Sequence, residues 1–202
     1  MSASTKVLIT AFEPYDRWEQ NASWLAVQEL TRDMPTAPKI TTRLYPVDFG
    51  RVRERLECDL AKNYDVVLHL GQSPGLGRIH LESIALNIGG SSRRRPDECQ
   101  PLVPHGPVAY RSELPLADWA ASIRSAGIPA QVSYHAGTFL CNATMYLTHH
   151  WSAKNGSGTR AGFVHLPLAS CQVTAERDDI ASLPVEQSAQ AVRIMLDAIA
   201  AW

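Results

Sequence analysis

The sequence predicts an α/β domain: a central, largely parallel (mixed) twisted sheet with helices on both faces, three layers in all. Short apolar runs rich in Val, Ile and Leu read as buried strands. Between them lie longer segments whose apolar residues recur every three or four positions, as on amphipathic helices. The two kinds of segment alternate, the pattern of a helix-covered parallel sheet. No internal repeat or linker divides the 202 residues, so a single domain over residues 1–202 is expected.

Lys6–Ala11 is the first strand, and Pro14 and Asp16 mark the loop that follows it. Asn21 is placed to cap a helix carrying Trp24, Val27, Leu30 and Met34 on one face, stopped by Pro35 and Pro38. Ile40–Tyr45 reads as a strand, and Asp48–Lys62 as a charged helix with Phe49, Val52 and Leu56 together. Asp65–Leu70 is another strand. It runs into the Gly71–Gly77 loop, at the carboxyl end where open α/β sheets build their sites. That loop lacks the lysine and following helix start of a phosphate cradle.

Ile79–Ile88 alternates apolar and polar residues, giving a strand or strand pair with Glu82 on or near its polar side. Residues 89–115, rich in Gly, Ser, Pro and Arg, read as a flexible surface loop or flap with a solvated Arg93-Arg94-Arg95 run. Leu116–Ala126 is a helix ended by Gly127, and Ala130–Tyr134 a strand. A further helix runs from Cys141 to about Trp151. Ala161–Pro167 is a strand, and Pro184–Ala201 a final helix with Val185, Ala189, Val192, Leu196 and Ile199 on one face.

Composition narrows the function. A net charge of -1 gives no reason to expect nucleic acid or an anionic membrane as partner. The apolar run Val7–Phe12 is too short for a signal peptide or a membrane span. Cys58, Cys99, Cys141 and Cys171 are widely spread with no CxxC pair, against a zinc knuckle or a disulfide scaffold and in favour of the reducing cytoplasm. His149 and His150 point about 100° apart on a helix and have no acidic or cysteine partner at ligand spacing. Neither metal nor cofactor is expected.

The stretch Ser133-Tyr-His-Ala-Gly-Thr-Phe-Leu-Cys-Asn142 reads as a strand-to-helix turn, with Ala136-Gly137 at its bend and Thr138 as N-cap. Cys141 then falls in the first helical turn, where unpaired N–H groups and the helix dipole favour a thiolate. Glu82 and His165 stand near the ends of other strands. Cysteine, histidine and a carboxylate are what thiol-dependent acyl transfer requires: nucleophile, proton carrier, and a group that orients and stabilises the imidazolium. Spacing alone does not show that the three meet.

The blocks Gly127-Ile-Pro-Ala-Gln-Val-Ser-Tyr134, Ala136-Gly-Thr-Phe-Leu-Cys-Asn142 and Gly162-Phe-Val-His-Leu-Pro167 resemble the pyroglutamyl peptidase I family of cysteine exopeptidases. So do Glu82-Ser-Ile-Ala-Leu-Asn87 and Thr10-Ala-Phe-Glu-Pro-Tyr15, and the resemblance runs from about Lys6 to Ala201. It implies Cys141 as nucleophile, His165 as general base and Glu82 as its orienting carboxylate. It further implies that Phe12, Tyr15 and Phe139 flank a pyroglutamyl ring, with Gln72 at its polar edge and Asn21 and Arg94 in support. The implied activity is removal of N-terminal pyroglutamyl residues from peptides through a thioester, by a homotetramer.

Two segments depart from the family's pattern. Its first loop usually reads Gly-Phe-x-Pro-Phe-Gly-Gly, where this chain has Ala11-Phe-Glu-Pro-Tyr-Asp-Arg17, and Gly89–Asp97 differs from the usual Ala-Arg-Ile-Pro-Asp-Asn. The changed mouth keeps open a thiol amidase acting on another small acyl amide. A third reading is a non-catalytic homologue.

Overall fold

A computed structural model describes residues 4–91, 95–173 and 179–202. In chain order the elements are β1 (Lys6–Phe12), α1 (Ala22–Arg32), β2 (Lys39–Tyr45), α2 (Phe49–Leu60), β3 (Val66–Gln72), β4 (Ile79–Glu82) and β5 (Ile84–Leu86). They continue with β6 (Ala109–Arg111), α3 (Leu116–Ser125), β7 (Ala130–Ser133), α4 (Leu140–Asn155), β8 (Arg160–Leu166), β9 (Leu168–Ala169), β10 (Ser182–Leu183) and α5 (Val185–Ala200). Short 3-10 turns occupy Pro96–Glu98 and Ser170–Gln172.

Six strands form the main sheet in the order β2-β1-β3-β8-β4-β7. β2, β1, β3 and β8 run parallel; β4 is antiparallel to β8 and parallel to β7. The reversal has a simple cause. Only residues 73–78 separate β3 from β4, and a parallel crossover needs a dozen residues or more. The register then sets Glu82 opposite Phe163 and His80 opposite His165.

Side chains alternate across each strand, so the sheet feeds two cores. On one face Val7, Ile9, Leu68, Leu81 and Val164 pack with Val27 and Leu30 of α1, Trp119 of α3 and Leu196 of α5. On the other, Leu8, Val67 and Phe163 pack with Val52 and Leu56 of α2 and with Met145 and Tyr146 of α4. Each such side chain, buried, contributes roughly 1.5–3 kcal/mol of transfer free energy.

Several local expectations change. α1 stops at Arg32, leaving Met34 outside it and exposed. α4 continues past Trp151 to Asn155 and closes at Gly156, which is left-handed at φ 61°. Its apolar stripe is indistinct because Leu140, Ala143, Met145, Tyr146 and His149 are buried around much of its circumference. The alternating Ile79–Ile88 run breaks at Ser83 into β4 and β5. Within 89–115, Gly89 bridges to Gln100, β6 pairs with β5, and Asn87 bonds both the N–H and the carbonyl of Val103 at 2.9 and 2.8 Å. The two-residue strands β9 and β10 are too short to leave a periodic signal.

Candidate active site

Cys141 is the second residue of α4. Gly137, left-handed at φ 79°, makes the turn before it. The N-cap is Phe139, with no side-chain cap bond, and not Thr138 as expected. The Thr138 hydroxyl turns away to donate to the Gly90 carbonyl at 3.2 Å, while the Gly90 N–H donates to the Thr138 carbonyl at 2.9 Å. Asn142, wholly buried, fixes the other side of this turn. Its Oδ1 accepts the Leu86 N–H at 2.8 Å, and its Nδ2 donates to the Leu86 and Ile88 carbonyls at 2.9 Å each.

His165 Nδ1 lies 2.8 Å from Glu82 Oε1, and both residues are buried. Glu82 therefore points inward rather than out to solvent. Burial disfavours its charged form, but the bond to His165 outweighs this and holds its carboxyl below the usual range. The Cys141 sulfur lies close enough to act on the His165 ring, and with Nδ1 committed to Glu82, Nε2 is the ring nitrogen left to face it. Burial alone would lower the His165 pKa; the Cys141 sulfur and the Glu82 carboxylate overcome it and push the value up to about 9. Both partners favour the charged form of the ring. Phe163 packs on the His165 ring at 4.7 Å.

A small cleft of about 40 Å³, open at its mouth, adjoins the Cys141 sulfur and is lined by Phe12, Tyr15, Asn21, Gln72 and Phe139 among others. The structure thus gathers eight of the nine sequence-predicted residues; Arg94 lies outside the described residues. The Tyr15 hydroxyl donates to the Gln72 backbone carbonyl at 3.3 Å. Burial first, then the nearby Cys141 and Asp16, push its pKa up to about 12. Asn21 caps α1 by accepting the Ser23 N–H at 3.0 Å and donates to the Glu13 carbonyl at 3.1 Å, tying the first loop to the helix.

Four further residues shape the site without having been marked by the sequence. Asn142 carries no periodic signal. Gly71 looks like a turn glycine, yet a Cβ there would lie 2.5 Å from Phe163 Cζ and 3.3 Å from Cys141 Sγ. His80 sits opposite His165 and accepts from Gln131 Nε2 at 2.8 Å. Gln172 falls in a stretch without pattern. Among the described residues no group of three or more His, Cys, Asp or Glu could hold a metal ion, and no helix is long and apolar enough to cross a membrane.

A buried carboxylate–imidazole pair beside a half-buried thiol at a helix start, opening on an aromatic cleft of an α/β sheet, defines a cysteine-type hydrolase. The family model described as pyroglutamyl peptidase matches residues 5–201, and the chain belongs to that family. A pyrrolidone-carboxylate peptidase of Clavibacter michiganensis is 40% identical over 171 residues, 81% of this chain and 79% of its own length. One from Streptomyces coelicolor is 37% identical across 97% of this chain and 92% of its own. The crystal structure of the pyrrolidone carboxyl peptidase from Fervidobacterium islandicum superposes with a TM-score of 0.90 at 32% identity, covering 97% of this chain and 98% of that one.

Proposed function

We propose that this chain removes N-terminal pyroglutamyl residues from peptides through a thioester on Cys141. The observation that carries the reading is the Glu82–His165–Cys141 array at the wall of a cleft flanked by Phe12, Tyr15 and Phe139. A pyroglutamyl ring is a neutral lactam with no free amine. It suits aromatic walls with a few hydrogen-bonding groups better than a charged clamp.

Cys141 thiolate attacks the acyl carbon, and the oxyanion is met by the Cys141 N–H, which lies in a helix turn that has no intrahelical acceptor for it. His165 gives its proton to the departing amine, the C–N bond breaks, and the thioester forms. Water then attacks the thioester as His165 takes its proton. The C–S bond breaks, pyroglutamate leaves, and the thiolate–imidazolium pair is restored. Glu82 holds the ring in the tautomer and orientation both halves need.

Release of a fluorescent amine from a pyroglutamyl amide, with reductant present, tests this reading. Wild type turns over, and Cys141→Ala loses on the order of 10³-fold or more of that rate. Turnover that survives in Cys141→Ala overturns the mechanism. The Tyr15 hydroxyl on the Gln72 carbonyl favours a second reading, a thiol amidase of another small acyl amide. A panel of acyl amides on which a different acyl group is preferred would establish it.

A further inference from the structure

Gln172 lies on the 3-10 turn that follows β9, seven residues past His165 along the same chain exit. Both polar atoms of its side-chain amide are bonded. Oε1 accepts the Ala169 N–H at 2.8 Å, while Nε2 donates one hydrogen to the Gln20 carbonyl at 2.9 Å and the other to Gln72 Oε1 at 2.8 Å. Gln72 Oε1 also accepts the Ala22 N–H at 2.8 Å. Two N–H donors converge on one atom, so that atom is the oxygen and the orientation of the Gln72 amide is determined. Gln72 Nε2 is left buried with no partner among the described residues. Gln72 is 4% exposed and lines the cleft beside Cys141.

Gln172 therefore joins three chain segments: the exit of β8, which carries His165; the end of β3, which carries Gln72; and the entry to α1, which carries Asn21. We propose that Gln172 is a positioning residue: it locks the Gln72 amide and with it the polar edge of the cleft, and so sets affinity for the γ-lactam end of the substrate without touching it. This rests on the pyroglutamyl reading above. Neither Cys141 nor His165 bonds to this network, so its loss acts on binding rather than on the thiol.

The test uses Gln172→Leu, which removes the bonds at similar volume, and Gln172→Glu, which turns an oxygen toward the Gln20 carbonyl and Gln72 Oε1. Steady-state rates are measured on a pyroglutamyl amide and on the matching cyclopentanecarbonyl amide, whose ring lacks the lactam. Thermal midpoint and Cys141 alkylation by iodoacetamide are followed in parallel. For both variants KM on the pyroglutamyl amide rises about tenfold, as expected for a lost hydrogen-bonded constraint, with more effect from Glu. The kcat and alkylation rate stay within about twofold, and the preference for the lactam ring over the bare ring falls by a similar factor. A wild-type KM and ring preference in both variants overturns the inference and leaves the proposed activity standing. A joint fall of kcat, alkylation rate and midpoint also overturns it, by making the role structural. Wild type that turns over no pyroglutamyl amide refutes the proposed activity itself, and this inference with it.

Discussion

Tyr15 shows how one oxygen bears on the cleft. Its ring lines the same wall as Phe12 and Phe139, yet its hydroxyl donates to the Gln72 carbonyl. With its pKa pushed up to about 12, chiefly by burial, the phenol stays a neutral donor throughout the working range. The Gln72 carbonyl thus already accepts one bond when the cleft is empty, and a ring N–H that reaches it shares the oxygen with the hydroxyl. At 3.3 Å that bond is long and readily exchanged. Tyr15→Phe removes the competitor. KM for a pyroglutamyl amide is expected to fall about fivefold, the equivalent of about 1 kcal/mol, with a smaller change in kcat. An unchanged or raised KM in steady-state assays would mean that the hydroxyl does not compete.

At the scale of elements, the placement of Cys141 depends on how closely β3 and α4 approach. Gly71 permits it: the place of its missing side chain is filled by the Phe163 ring, whose Cζ and Cε1 lie 2.5 and 2.8 Å from the Cβ position. Asn142 sutures the first turn of α4 to β5, and the paired bonds between Gly90 and Thr138 hold the turn before it. Gly71→Ala forces the Phe163 ring to move, and that ring packs on His165. A loss of about 1–3 kcal/mol in urea denaturation is expected from overpacking, together with a lower kcat. Wild-type stability and turnover would show that the ring can shift freely.

Across the whole molecule, two buried imidazoles set the acid limit of stability. His69, fully buried, lies between Thr10 Oγ1 at 2.7 Å and Thr148 Oγ1 at 2.9 Å. The Thr148 hydroxyl gives its proton to the Thr144 carbonyl at 2.8 Å, so it can only accept from His69. His69 is thus neutral with its proton on Nε2, and Nδ1 accepts from Thr10. Burial lowers its pKa from 6.5 to about 3 and that of His149 to about 4. Below 6.5 the unfolded chain binds protons that the folded chain refuses. This part of the stability is therefore complete above pH 6.5 and is lost as pH falls toward those values. From pH 7 to 5, urea denaturation should register a loss of about 2 kcal/mol for each imidazole. His149→Gln should remove about half of that pH dependence. Equal stability at both pH values would mean that these rings fold protonated.

Most of the elements were legible in the sequence because their signals are local. The apolar runs of β1, β3 and β8, the cap at Asn21 and the amphipathic stripe of α5 depend on neighbours a few residues away. The same holds for Cys141 at a helix start, and its motif with those around Glu82 and His165 identified the family. Contacts between distant residues left no such trace. The reversed β4 brings Glu82 to His165 across 83 residues, and the Gln172 bond to Gln72 spans 100. Gly71 at the sulfur, the inward turn of Glu82 and the use of Thr138 as a latch instead of a cap belong with these. Periodicity records which side of an element is apolar; strand order and register decide what that side meets.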